Sequence, residues 1–126
     1  MVWLHGGAFK VGSGHELKCY NGENVSRRGD AVVITLNHRL GLLAYLDLSG
    51  LGDDRFALSR NVGMLDIVRA LEWVRDNIAN FGGDPGNVTV FGQSAGGVEV
   101  GMLMAMPRAQ GLFHRAVVQS GPTLKA

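Results

Sequence analysis

The stretch Val88-Thr89-Val90-Phe91-Gly92-Gln93-Ser94-Ala95-Gly96-Gly97 decides how the rest of this chain is read. Its β-branched and aromatic opening predicts a buried strand over residues 88–91, and the small residues from Ala95 onward open a predicted helix over about 95–106. Between the two, the pattern G-x-S-x-G leaves Ser94 flanked by residues without bulk. Side chains at 92 and 96 would hold strand and helix apart; without them the chain can turn sharply and project the serine hydroxyl from the sheet edge. The N-terminus of the helix that follows favours negative charge developing beside it. In a chain with 19 glycines among 126 residues the pattern alone is weak evidence. Its place between a strand and a helix is what makes Ser94 a candidate nucleophile.

Upstream, Val2-Trp3-Leu4-His5 is an apolar run stopped by Gly6-Gly7, and residues 31–37 form a longer β-branched run. Both predict strands buried on both faces. Over residues 63–81, Met64, Val68, Leu71, Val74 and Ile78 recur at spacings of three or four, with Asp66, Arg69, Glu72, Arg75 and Asp76 mostly on the other side. That is an amphipathic helix, with Asn61 as its expected N-cap and Gly82-Gly83-Asp84-Pro85 as its stop. Ala116-Val117-Val118-Gln119 predicts the last strand. Strand, long connection, strand, helix, strand, helix, strand is the order of an α/β domain with a mainly parallel sheet of about four strands flanked by helices. The weakly periodic stretch 39–60 reads as a surface excursion, and Trp3, Trp73 and Phe91 read as core.

Composition narrows the function classes. With 46% hydrophobic and 18% charged residues, the chain suits a single domain over residues 1–126. Twelve basic residues against eleven acidic ones give no electrostatic case for nucleic acid or an anionic membrane surface. Cys19 is the only cysteine, which excludes an internal disulfide and a multi-thiolate zinc site. No apolar run approaches the roughly 18 residues of a membrane span, and the first residues lack a signal-peptide pattern. Nothing in the sequence specifies an oligomeric state or a compartment.

A serine that transfers acyl groups needs backbone N–H donors aimed at the oxygen that becomes negative. His5-Gly6-Gly7-Ala8-Phe9 follows the first strand and carries small residues that leave its amides uncovered. Gly7 and Ala8 N–H, with Ala95 N–H just after the serine, are therefore the expected oxyanion donors; the chemistry needs no metal and no organic cofactor. Among the histidines, His5 and His38 fall at strand ends on the edge where Ser94 emerges, and His114 falls at the opposite edge. A loop-orienting hydrogen bond is expected of His5, and a turn position of His38.

These segments together resemble the type-B carboxylesterase family. The resemblance is carried by Asn37-His38-Arg39-Leu40-Gly41, Asn61-Val62-Gly63-Met64-Leu65-Asp66, Ala70-Leu71-Glu72-Trp73-Val74, Phe81-Gly82-Gly83-Asp84-Pro85, the serine stretch, and Phe113-His114-Arg115-Ala116 through Gln119-Ser120-Gly121. They run in the family's order over nearly the whole chain. The resemblance implies a partial α/β-hydrolase fold and hydrolysis of small-molecule carboxylic esters through an acyl-enzyme on Ser94. It also implies a structural role for Asp66, and it matches Ser120 to a second serine that sits near the catalytic histidine and supports the site; a plain strand-end hydrogen bond is the alternative reading of Ser120. Gln93 stands where many members have Glu, Ile67 where Gln usually follows the aspartate, and Ala8 replaces a third loop glycine. Family members are several times longer and place their acid and histidine well after the serine. This chain is thus expected to be an N-terminal and central portion that carries nucleophile and oxyanion donors without acid or base. Two alternatives are a non-catalytic interaction protein on the same fold, as in neuroligins, and an inactive truncated piece. Retention of Ser94 argues against the first.

Overall fold

The computed structural model describes residues 1–121. Its elements are β1 (Val2–Leu4), α1 (Glu23–Gly29), β2 (Ile34–Thr35), α2 (Leu42–Tyr45), α3 (Val62–Asn77), β3 (Thr89–Gln93), α4 (Ala95–Ala105) and β4 (Arg115–Gln119), with short 3₁₀ turns between them. The four strands form one parallel sheet in the order β2-β1-β3-β4. The chain leaves β1 toward β2 on one side and returns through α3 to β3 on the other. The C-terminal ends of β1 and β3 therefore flank the point where the winding reverses, the place where open parallel sheets leave a crevice for ligands.

Alternation along the strands sorts the two faces. Val2, Leu4, Val88 and Val90 pack on one face against Met64, Ile67, Val68, Leu71 and Val74 of α3 and Val100 and Leu103 of α4. On the other face Trp3 lies between Tyr20 and Phe91, with ring centroids 4.9 and 5.0 Å away. The helical apolar stripe read from the sequence is buried as expected, and Ile67 joins it with no exposed surface.

Four expectations change. Only Ile34 and Thr35 of the run 31–37 pair in the sheet, opposite Val2 and Trp3 of β1. As an outer strand, β2 is half-buried rather than enclosed. Asn61 makes no side-chain cap; a 3₁₀ turn over Ser59–Asn61 feeds directly into α3, with Asn61 N–H donating to the Leu58 carbonyl at 2.9 Å. Trp73 is 48% exposed, since it sits beside the buried stripe and rests on Phe81 instead of entering the core. The excursion 39–60 is not featureless: α2 and three 3₁₀ turns fold it down, with Ala44 buried and the Ser59 hydroxyl accepting from Leu48 N–H at 2.8 Å.

Candidate active site

Ser94 stands between β3 and α4 with φ 57° and ψ −121°, a conformation that side chains avoid. Close approach on every side enforces it. A Cβ at Gly92 would lie 2.5 Å from the Gly96 carbonyl, one at Gly96 would lie 2.1 Å from the Leu4 carbonyl oxygen, and one at Gly97 would lie 2.8 Å from the Gln119 carbonyl oxygen. Ser94 N–H donates to that same Gln119 oxygen at 2.9 Å, and Ser94 O accepts from Val98 N–H at 3.0 Å to start the helix. The turn is thus locked to β1 on one side and to β4 on the other. Ala95, buried, is the first residue of α4, where N–H groups have no intrahelical acceptor.

The loop 5–9 lies at the same edge. A Cβ at Gly6 would come within 3.3 Å of Ser94 Cβ and 3.1 Å of the Gln93 carbonyl. Beyond Gly6 the chain turns through Gly7 (φ 123°), Ala8 (φ 54°) and Phe9 (φ 63°), and two non-glycine residues in succession with positive φ mark a strained loop. Gly7 O accepts from Lys10 and Val11 N–H at 3.0 and 3.1 Å, and Phe9 O accepts from Gly41 N–H at 2.7 Å. These bonds use the loop's carbonyls. Among the described residues the amides of Gly7 and Ala8 have no protein acceptor. The structure therefore places the start of this loop, at Gly6, against Ser94 at the switch point, with Gly7 and Ala8 following it and Ala95 following the serine. Ser120 (φ 50°) is at this edge too, next to the Gln119 carbonyl that holds Ser94.

The histidines divide. His114 is at the far edge, where its Nδ1 accepts from Val88 N–H at 3.1 Å, and His15 is exposed. His5 is buried, with Nδ1 2.7 Å from the Gly6 carbonyl oxygen, the loop-orienting contact expected of it. His38 is not a simple turn residue. It is buried, its ring stacks on His5 at 5.0 Å, and its Nε2 comes within 2.9 Å of Glu99 Oε1 on α4. Reading the sequence missed Glu99. The available signal is its isolation: it is the one charged residue of α4, in step with the buried Ala95, Val100 and Leu103. Beside it, burial pushes the Tyr45 phenol up to about 12, with Glu99 and Asp66 adding to the shift.

Arg39 and Asp66 fix the segment that follows β2. Asp66 accepts from Arg39 N–H at 3.0 Å and from the guanidinium at 2.8 and 2.6 Å. That guanidinium holds the Asp66 carboxyl below its usual range against an opposing push from partial burial. A bidentate bond plus a backbone bond on one carboxylate makes Asp66 a brace between α3 and the chain leaving β2.

A parallel sheet with a glycine-walled serine turn and a facing amide-rich loop is the arrangement of an α/β hydrolase. The carboxylesterase family model matches residues 1–126, and the chain belongs to that family. It is 52% identical over 121 residues to para-nitrobenzyl esterase of Bacillus subtilis (strain 168), covering 96% of this chain and 24% of that protein. It is 48% identical over 127 residues to carboxylesterase 1D of Mus musculus, covering 100% and 21%. Among solved structures, an esterase from Clostridium hathewayi described as hydrolysing aliphatic aromatic polyesters superposes with a TM-score of 0.89 at 62% identity, covering 92% of this chain and 23% of that one. The chain thus spans about a quarter of the length of these relatives.

Proposed function

We propose that this chain supplies the nucleophile and the oxyanion donors of a serine carboxylesterase acting on small carboxylic esters. The observation that carries the reading is the strained Ser94 turn facing the loop 5–9 across the β1/β3 crevice. Ser94 Oγ attacks the ester carbonyl carbon, and its proton passes to a general base. The N–H groups of Gly7, Ala8 and Ala95 stabilise the negative oxygen of the tetrahedral intermediate. Its collapse expels the alcohol, which takes the proton back, and leaves an acyl group on Ser94; water then repeats the sequence to release the acid.

We assign the base to neither His5 nor His38. His5 Nδ1 is engaged by the Gly6 carbonyl and His38 Nε2 faces Glu99, while the other nitrogen of each ring is buried without a hydrogen-bond partner among the described residues. The family resemblance implies that the base is a histidine held by its own carboxylate. A non-catalytic role on the same fold would not require the strain at Ser94, and a relaxed residue would serve there.

Turnover of a short-chain activated ester by the protein that carries this chain together with its general base, and by its Ser94→Ala variant, tests the reading. Ser94→Ala is expected to lower kcat by about 10³-fold or more and to abolish covalent labelling by a fluorophosphonate. Retention of turnover within about tenfold would overturn the assignment.

A further inference from the structure

Behind the loop 5–9 lies a polar cluster that the proposed reaction does not use. Glu99 and His38 are buried, with 1% and 0% of their side chains exposed, and their facing atoms are 2.9 Å apart at an angle short of a hydrogen bond. His38 stacks on His5 with rings inclined by 22°. Burying such a pair gains no stability over hydrocarbon of the same volume, so what it contributes is a fixed geometry.

That geometry leads to the donors. The His5 ring nitrogen at 2.7 Å from Gly6 O donates to it, which fixes the direction of the Gly6 carbonyl. The peptide that follows is planar and trans, so Gly7 N–H must point the opposite way. Gly12 closes over the contact: a Cβ there would lie 2.5 Å from Gly6 O and 2.7 Å from His5 Nδ1. The His5 ring is set in turn by the His38 ring against it, and His38 is set by Glu99. Glu99 belongs to α4, the helix that Ser94 begins. The helix that aims the serine thus also holds, through two rings, the loop that carries the facing amides.

We propose that Glu99 and His38 are positioning residues that act through His5 to hold the Gly7 and Ala8 amides in register with Ser94. The proposal rests on Ser94 as nucleophile with these amides as its donors, and it makes alignment of the oxyanion donors depend on a contact inside α4's own packing.

The test compares Glu99→Met, Glu99→Gln and the double variant His38→Leu/Glu99→Met in the intact protein. Active sites are counted by fluorophosphonate titration, and kcat per site, KM and inhibition by a trifluoromethyl ketone are measured. Glu99→Met, which removes the oxygen facing His38, is expected to lower kcat per site by about tenfold or more, a part of the 10²–10³ that a lost oxyanion donor costs. KM should change by less than about threefold, and the ketone should weaken in step with kcat. Glu99→Gln, which keeps an oxygen there, should recover most of the loss. The double variant removes both members of the pair, so that neither is left buried opposite hydrocarbon; it should show the same loss of kcat per site and decides the question if Glu99→Met fails to fold.

A lower melting temperature with fewer titratable sites but kcat per site within about twofold of the parent would mark a merely structural pair and overturn the proposal. Loss of turnover in Ser94→Ala beside such a result would overturn the positioning role alone. Persistent turnover in Ser94→Ala would overturn the reading beneath it, and the positioning role with it.

Discussion

Gly96 lies so near Leu4 that a Cβ on residue 96 would fall 2.1 Å from the Leu4 carbonyl oxygen, and that oxygen belongs to β1, one of the two central strands of the sheet. Neither backbone can withdraw without unpairing β1 or tilting α4. Gly101 lies in the same helix with nothing within 4 Å of an added Cβ. Gly96→Ala is therefore expected to destabilise the protein by about 3 kcal/mol or to leave it insoluble. Gly101→Ala should be neutral or stabilising by about 0.5–1 kcal/mol, because alanine loses less entropy in a helix. Denaturant unfolding of both variants checks the contrast, and equal effects would show that the serine turn is not closed by this contact.

Short-range sterics explain why the serine turn is legible in the sequence alone. G-x-S-x-G encodes a close approach between neighbours in sequence, and the buried stripe of α3 follows from helical periodicity. What is not legible there depends on partners far along the chain. Strand β2 is two residues long, set by its pairing with Val2 and Trp3 of β1 some 32 positions earlier. Trp73 stays outside because what packs on α3 covers only one stripe. Glu99 and His38 are 61 positions apart, and only folding makes two unremarkable polar residues a buried pair. An isolated charge on an apolar helix is the one hint the sequence offers.

The loop 5–9 gives a second pair of glycine variants, this time read out in activity. A Cβ at Gly7 would lie 1.8 Å from the Val11 carbonyl oxygen, and its φ of 123° is closed to other residues. Gly7→Ala must therefore reshape the loop and move its own N–H. Gly50, in an exposed 3₁₀ turn with nothing within 4 Å, is the control. Gly7→Ala is expected to lower kcat by about 10²–10³-fold with KM little changed, while Gly50→Ala leaves both as they are. Steady-state kinetics on an activated ester decides it; a Gly7→Ala enzyme with full kcat would remove Gly7 from the donor set.

Asp66 carries a pH signature. Its carboxyl is held below the ordinary value of 3.8 by the Arg39 guanidinium, so folding favours the ionised form. Stability from the brace is then fully present above about pH 4 and is lost as pH falls through the lowered folded-state value. Asp66→Asn should lower the melting temperature by a constant amount between about pH 5 and 8, with the gap narrowing below about pH 4. Because Arg39 is exposed, added salt should also shrink the gap. A gap that widened on acidification would contradict the assignment of Arg39 as the cause.

Strain at Ser94 sets stability against activity at a single position. Its φ of 57° with ψ of −121° is open to glycine and costs other residues about 1–3 kcal/mol. Ser94→Ala keeps the Cβ and hence the strain. Ser94→Gly removes both the Cβ and the hydroxyl, at the expense of a more flexible unfolded chain, which offsets about 0.5–1 kcal/mol of the gain. Ser94→Gly is therefore expected to be more stable than Ser94→Ala by about 1 kcal/mol, while neither variant forms an acyl-enzyme. Chemical denaturation of the two, run beside a fluorophosphonate labelling assay, measures both quantities on the same samples. If Ser94→Ala proved the more stable, the turn would be relaxed, and the outward projection of the serine would need a cause other than closure by Gly92 and Gly96.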